Sequence, residues 1–438
     1  MITRSAQNFS LCLLSALLLL GGCGSDEEIR LEGDRISVLE LERSLIPEAR
    51  PDNISLSGDL PDAWSNAFWP QSGGYPNHSM QHLALSGDEL EREWRVDIGS
   101  GGSKNLPITA QPIVVYGKVF TLDTDSSLRA FDAESGKELW DISVQHPDED
   151  DPVIGGGISY ASGVVYVTNG FDEVLAVHPD NGQIFWRSTI SAPARAAPTI
   201  IDGRLFVMTL DNRLQAIDAA SGDFLWEYVG ISETAGLLGA ASPAANHDVV
   251  VPAFSSGEVA ALRVENGSTA WTENLSSLSS FAGISSLSDI NAMPVLDKGL
   301  VFAISFSGRL VAIDERTGAR VWQRDLGGSN TPWVAGDYVF IVTSENQLVA
   351  LERASGIIQW AEDLKGEDDD DPVFFNGPVL AGGRLIVTSS EGRVLEFNPV
   401  NGGQIREWRA GGALSLPPLV ADETLYILDD NATLSAYK

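Results

Sequence analysis

One spacing governs what this chain can fold into. The phrase "LRAFDAESGKELW" at 128–140 returns as "LQAIDAASGDFLW" at 214–226, "LVAIDERTGARVW" at 310–322 and "LVALERASGIIQW" at 348–360. Looser copies are "VLAVHPDNGQIFW" (174–186), "VAALRVENGSTAW" (259–271) and "VLEFNPVNGGQIREW" (394–408), which reads as carrying two extra residues in its turn. Upstream of each small residue stands a landmark 18 positions earlier, usually proline: Pro112/Ala130, Ile158/Ala176, Pro198/Ala216, Pro243/Ala261, Pro294/Ala312, Pro332/Ala350 and Pro378/Glu396. A fixed period of this kind identifies a repeat architecture before any single element is considered.

Within each unit, short β-branched and aromatic runs such as "KVFTLD" and "RLFVMT" alternate with Gly, Asn and Asp turns, the pattern of antiparallel hairpins. Four such strands recurring every 38–51 residues, Trp to Trp, predict propeller blades rather than helical solenoid repeats. The recurrent Trp is expected to cover the joint between neighbouring blades. The last unit, with Pro418 and Ala436 again 18 apart, has no Trp strand after it, while "LEREWRVDIG" with Trp94 precedes the first landmark. The expected fold is therefore all-β: an eight-bladed propeller of four-stranded antiparallel blades, its last blade closed by the N-terminal strand, which leaves no ring edge open.

Four segments are expected. Residues 1–22 form a signal peptide with Arg4, the apolar "LCLLSALLLL" and a closing "LLGGC", too short for a stable spanning helix. That ending is the lipobox pattern of bacterial lipoproteins, so Cys23 is the expected lipid attachment site, where two or more acyl chains give stable anchoring. Gly24 in place of Asp fits delivery to the outer membrane, facing the periplasm. Residues 23–60 read as a flexible tether and 61–93, with Trp64, Trp69 and Tyr75, as an ordered extension on the propeller, which occupies 94–438. The second cysteine, Cys12, lies inside the signal, which leaves no pair for a disulfide.

Sixty-one acidic against 28 basic residues give a formal charge of −33, which excludes nucleic acid as a partner, since phosphate binding needs Lys and Arg clusters. Catalytic signatures are absent: no G-x-S-x-G, Walker loop or G-x-G-x-x-G. His78 and His82 are spaced i, i+4 but lack the glutamate of H-E-x-x-H and read as surface residues; His178 takes the Asp position of its repeat and reads as a turn residue. Acidic loops at 147–152 and 367–372 occupy equivalent connections; hard oxygen ligands suit calcium, and a solvated charge run suits the sequence as well. No cofactor or metal is called for. The connections from each Trp to the next landmark run 18, 18, 12, 17, 23, 10, 18 and 10 residues. Two long neighbours, "EYVGISETAGLLGAASP" and "TENLSSLSSFAGISSLSDINAMP", carry little charge for so acidic a chain, as a protein-docking surface does.

The repeat "AxDxxSGxxxW" is similar to that of quinoprotein-type propellers, and the lipobox with "LSDINAMPV" resembles the BamB family, the propeller lipoproteins of the outer-membrane β-barrel assembly (BAM) machinery. The resemblance spans the chain from Trp94 onward. It implies a non-enzymatic scaffold that docks on the periplasmic domains of BamA beside the other BAM lipoproteins and offers a surface to unfolded outer-membrane proteins. It also implies contacts from two loops, an L-x-L-R pattern falling on Ala235, Leu237 and Leu238 and an S-D-x-D pattern falling on Ser288, Asp289 and Asn291. Here Leu238 replaces the Arg and Asn291 the second Asp. The competing readings are a dehydrogenase using pyrroloquinoline quinone on the same propeller, and a periplasmic ligand-binding propeller unrelated to barrel assembly.

Overall fold

The strands of this protein differ in pattern according to what covers them. Second strands of the repeat, such as Lys118–Leu122 and Arg204–Thr209, are buried at every position after the first, because both faces meet a neighbouring sheet. Fourth strands alternate exposed and half-covered residues, since one edge and much of one face look outward. The computed structural model describes residues 59–438 except 88, 150, 195, 232–240, 277–289 and 366–371.

Among the described residues, 32 strands form eight separate four-stranded antiparallel sheets. Blade 1 is β2–β5 (113–143), blade 2 β6–β9 (157–189), blade 3 β10–β13 (199–229) and blade 4 β14–β17 (244–274). Blade 5 is β18–β21 (295–324), blade 6 β22–β25 (333–363) and blade 7 β26–β29 (375–409). Blade 8 combines β30–β32 (419–437) with β1 (Arg92–Asp97), which pairs with β32 from Arg92↔Tyr437 to Asp97↔Thr433. The N-terminal strand therefore closes the ring, as the sequence predicts.

The register explains the repeated phrase. In blade 1, Phe120 pairs with Ala130 and Ala130 with Trp140, so two aromatic side chains face each other across a methyl group. Their ring centroids lie 5.9 Å apart. The same aromatic–Ala–Trp row occurs at Phe206/Ala216/Trp226, Phe302/Ala312/Trp322 and Phe340/Ala350/Trp360, with centroids 5.7 to 6.1 Å apart. Such pairs add about 0.5–1.5 kcal/mol beyond their burial. Six of the eight repeat Trp also reach into the next blade, where the indole N–H donates to a backbone carbonyl, as from Trp94 to Ala133, Trp140 to Pro179, Trp271 to Glu315 and Trp360 to Pro399, at 2.7 to 3.1 Å.

The glycine of the turn is the matching surface. Gly318 sits at φ +73°, and a Cβ there would fall 2.6 Å from Trp271 of the preceding blade. Gly136 meets Trp94 and Gly267 meets Trp226 in the same way. Asp132, Asp218 and Asp314 open these turns by accepting hydrogen bonds from the Ser or Thr three residues on, which hold their carboxyls below the usual range.

Blade 7 departs from the pattern. Its turn is no longer than the others: Phe397 pairs with Gln404 as Phe131 pairs with Glu138. The two additional residues lie in β29 instead, so Arg406 faces Glu396 where other blades place Trp against Ala, and Trp408 is displaced to face Val394. Glu396, 1% exposed, receives Arg406 at 2.7 Å, Arg384 at 3.4 Å and the Trp408 indole N–H at 2.8 Å. Trp408 then stacks obliquely on Tyr437, centroids 4.8 Å apart, at the one blade whose turn position is occupied by the meeting of Lys438 and Glu91.

Preceding β1, residues 66–86 run round the inner edge of the ring at the end where first and second strands turn. Every first strand has unpaired N–H groups there, and each blade donates one to this belt. Asp422 donates to Asn66, Val114 to Trp69, Tyr160 to Pro70 and Ala245 to Pro76. Leu296 donates to Asn77 and Gly382 to Leu83, while the Ile200 and Gly336 amides use the side chains of Gln71 and Gln81. The belt meets blades 8, 1, 2, 3, 4, 5, 6 and 7 in that order and returns to blade 8 at Ser86–Glu423. Trp69, Met80 and Trp333 belong to one buried cluster, in which the Trp69 and Trp333 rings stack with centroids 6.5 Å apart.

Candidate protein-docking face

The end of the ring opposite the belt carries the turns between second and third strands and the connections between blades. The connection after blade 3 leaves from β13, where its stem is held on both sides. The Ile231 N–H donates to the Glu258 carboxylate at 3.1 Å and its carbonyl accepts from the Asn212 amide at 2.7 Å. Glu258 is 7% exposed and also accepts the Tyr228 hydroxyl at 2.7 Å. Burial first, then this carboxylate, push the Tyr228 phenol well above its ordinary pKa. One residue earlier, the Gly257 carbonyl takes the Leu275 N–H at 2.7 Å, the stem of the next connection. A single turn of blade 4 thus clamps the stems of both low-charge connections. The far side of the second stem is fixed by Arg309 on Ser276 (3.0 Å) and Thr331 on Met293 (3.1 Å).

Of the residues that the resemblance implies, Ala235, Leu237, Leu238, Ser288 and Asp289 lie outside the described residues, as does Cys23. Asn291 is described. It lines the axial cavity of about 330 Å³, to which all eight blades or the segments leading into them contribute, and its buried Oδ1 has no hydrogen-bond partner among the described residues. The other polar side chains lining that cavity are uncharged, among them Ser72, Thr109, Gln111, Asn330 and Asn376.

The histidines correct the sequence reading. His78 is buried rather than at the surface, and its Nδ1–H donates to the Pro294 carbonyl at 2.7 Å; burial lowers its pKa to about 4. His82 Nε2 accepts the Gly383 N–H while Nδ1–H donates to Pro61, so it too is a fastener of the belt. His178 Nδ1 accepts the Asp180 N–H in its turn, as expected from its place in the repeat. In the first acidic loop Asp148 and Glu149 are exposed; of the second, 367–371 lies outside the described residues. Among the described residues, no three His, Cys, Asp or Glu side chains converge on a metal position.

Charge is distributed unevenly on this face. The turns of six blades present an acid, namely Asp125, Asp172, Asp211, Glu345, Glu391 and Asp430, whereas blades 4 and 5 present Ser255 and Ser307. The neutral sector flanks the two clamped connections. Neither the clamp nor the blade 7 ion cluster was foreseen from sequence. A Glu at 396 in the place of an otherwise invariant small residue was the available signal for the cluster, whereas Glu258 stands at a strand-opening position that is polar in every blade and gave none.

A family model described as outer membrane protein assembly factor BamB matches residues 124–362. The outer membrane protein assembly factor BamB of Salmonella typhimurium is 28% identical over 348 residues, 78% of this chain and 87% of that protein. The Yersinia pestis protein of the same name is 26% identical over 242 residues, 54% of this chain, and the match spans 61% of its length. Among solved structures, BamB from Moraxella catarrhalis superposes with a TM-score of 0.70 at 20% identity, covering 80% of this chain and all of that one. The quinohemoprotein alcohol dehydrogenase of Comamonas testosteroni reaches 0.66 at 12% identity, covering 86% and 81%. Both likenesses are likenesses of fold.

Proposed function

Because this chain belongs to the family of outer membrane protein assembly factor BamB, we propose that it is a non-enzymatic scaffold of outer-membrane protein assembly. The observation that carries the reading is the family match over more than half the chain, on an eight-bladed ring of the same fold as a solved BamB. In this reading Cys23 carries the lipid that holds the protein to the periplasmic side of the outer membrane, and residues 23–60 are its leash. The clamped connections dock on the periplasmic domains of BamA, with Leu237 and Leu238 as apolar anchors, Asp289 as a rim charge, and Ala235, Ser288 and Asn291 beside them. Other BAM lipoproteins and unfolded outer-membrane proteins are the further partners. Interface energy concentrates in a few apolar or charged anchors, which suits two long loops on a rigid ring.

Capture of the C-terminally tagged lipoprotein from gently solubilised membranes tests this directly. Mass spectrometry should recover BamA and its companions, and Asp289→Lys should reduce that recovery about tenfold. Isolation of the protein alone at mild salt would overturn the reading. A quinone enzyme on the same fold is the competing reading. Its test is addition of pyrroloquinoline quinone and calcium to the purified protein, for which a scaffold gives no spectral change or turnover.

A further inference from the structure

The eight blades are internal controls for one another: a position that all eight occupy for the same structural reason should carry similar chemistry in each. Three exposed positions of blade 3 break that rule together. Three residues after the repeat Trp, at the outer end of the fourth strand, the chain has Asp97, Ser143, Thr189, Asn274, Asp325 and Asp363, and Arg409 in the displaced strand of blade 7; blade 3 has Val229. Two residues further the sister blades have only Gly, Ser, Gln or Lys, and blade 3 has Ile231. At the second residue of the neighbouring turn, Thr124, Gly170, Ser255, Ser344, Ser390 and Asp430 face Leu210, with half-buried Phe306 the other apolar case. Leu210, Val229 and Ile231 are 44, 52 and 54% exposed.

They also adjoin one another. Asn212, two residues after Leu210, holds the Gly230 N–H at 2.8 Å and the Ile231 carbonyl at 2.7 Å, so turn and stem are fastened side by side. Folding does not require the apolar side chains, since every sister blade manages without one at the positions of Val229 and Ile231, and all but blade 5, with Phe306, manage without one at that of Leu210. We propose that this blade 3 shelf is part of the docking surface, taking an apolar ridge flanked by basic side chains on a folded periplasmic domain of the same partner. The proposal rests on the docking role proposed above. Two features argue for that occupant. The shelf runs directly into the connection beginning at 232, and its rim carries Asp211 and Glu227 around the single Arg213 they share, leaving net negative charge. Asn212 and Glu258 act as positioning residues, since they hold the shelf without facing outward.

The test uses substitutions that the sister blades already carry, Leu210→Ser, Val229→Thr and Ile231→Ser in one chain, so that folding is preserved. Binding of the full-length detergent-purified protein to the purified periplasmic region of BamA should weaken about 30-fold, and the wild-type complex should weaken further with added salt. A control carrying Val321→Ser and Ile405→Ser, equally exposed residues on the ring's perimeter, should bind as wild type does. A triple variant within about twofold of wild type overturns the shelf while leaving the docking role intact. Equal loss in the perimeter control overturns it as well, by reducing it to general adhesion. A wild-type protein that does not bind at all removes the docking role, and the shelf with it.

Discussion

At the scale of single residues, the contact that recurs most is an indole laid on a glycine. Gly318→Ala should cost about 1–2 kcal/mol for a left-handed backbone and about 1–3 kcal/mol more for displacing Trp271. Gly117→Ala is the control, because φ is +71° there and nothing lies within 4 Å of the added methyl group. The difference between the two denaturant midpoints measures the inter-blade contact alone. His78 makes a second residue-scale prediction. Its folded pKa of about 4 lies below the unfolded value near 6.5, so the unfolded chain binds a proton that the native one refuses. Stability should be unaffected above pH 6.5 and fall as pH drops through that window, by about 3 kcal/mol at pH 4. His78→Asn can keep a donor to Pro294 and accept φ +57°, and its stability curve should lack this slope. Histidine burial was not legible beforehand, because the i, i+4 spacing that suggested a surface pair says nothing of a segment folded against another sheet.

Among elements, the odd blade is the informative one. Glu396→Ala removes the buried carboxylate that Arg406 and Arg384 share and should destabilise the protein by about 3 kcal/mol, whereas Glu396→Ala with Arg406→Leu should recover part of that loss. Additive losses in thermal melts of the single and double variants would show that the pair is not coupled. The blades themselves were plain in the sequence because each is built from local hairpins whose turn residues and alternation are written within about 30 residues. The position of the two extra residues in blade 7 was not, since a strand can absorb an insertion that a list of motifs assigns to the turn. Of the proposed docking face, the long connections of low charge were legible in the sequence. Its clamp was not, because Glu258 and Ile231 become neighbours only when blades 3 and 4 stand side by side.

Over the whole molecule, the belt is the feature no repeat reveals. Eight amides, one per blade, end on a single segment. Hydrogen exchange should therefore release Val114, Tyr160, Ala245, Leu296, Gly382 and Asp422 as one set, at the rate at which the belt lifts, and a chain lacking residues 59–86 should expose them while keeping its other strand amides protected. Exchange of these amides at unrelated rates would mean that the belt is several independent contacts. The belt also has a mechanical meaning. Its bonds follow one another along the chain from Asp59, which rests on Asp337 of blade 6, to Ser86, so a pull from upstream loads them in series rather than together. Tension applied upstream of Asp59 would open them one blade at a time and pay out roughly 90 Å of slack before β1 and the closed ring bear any load.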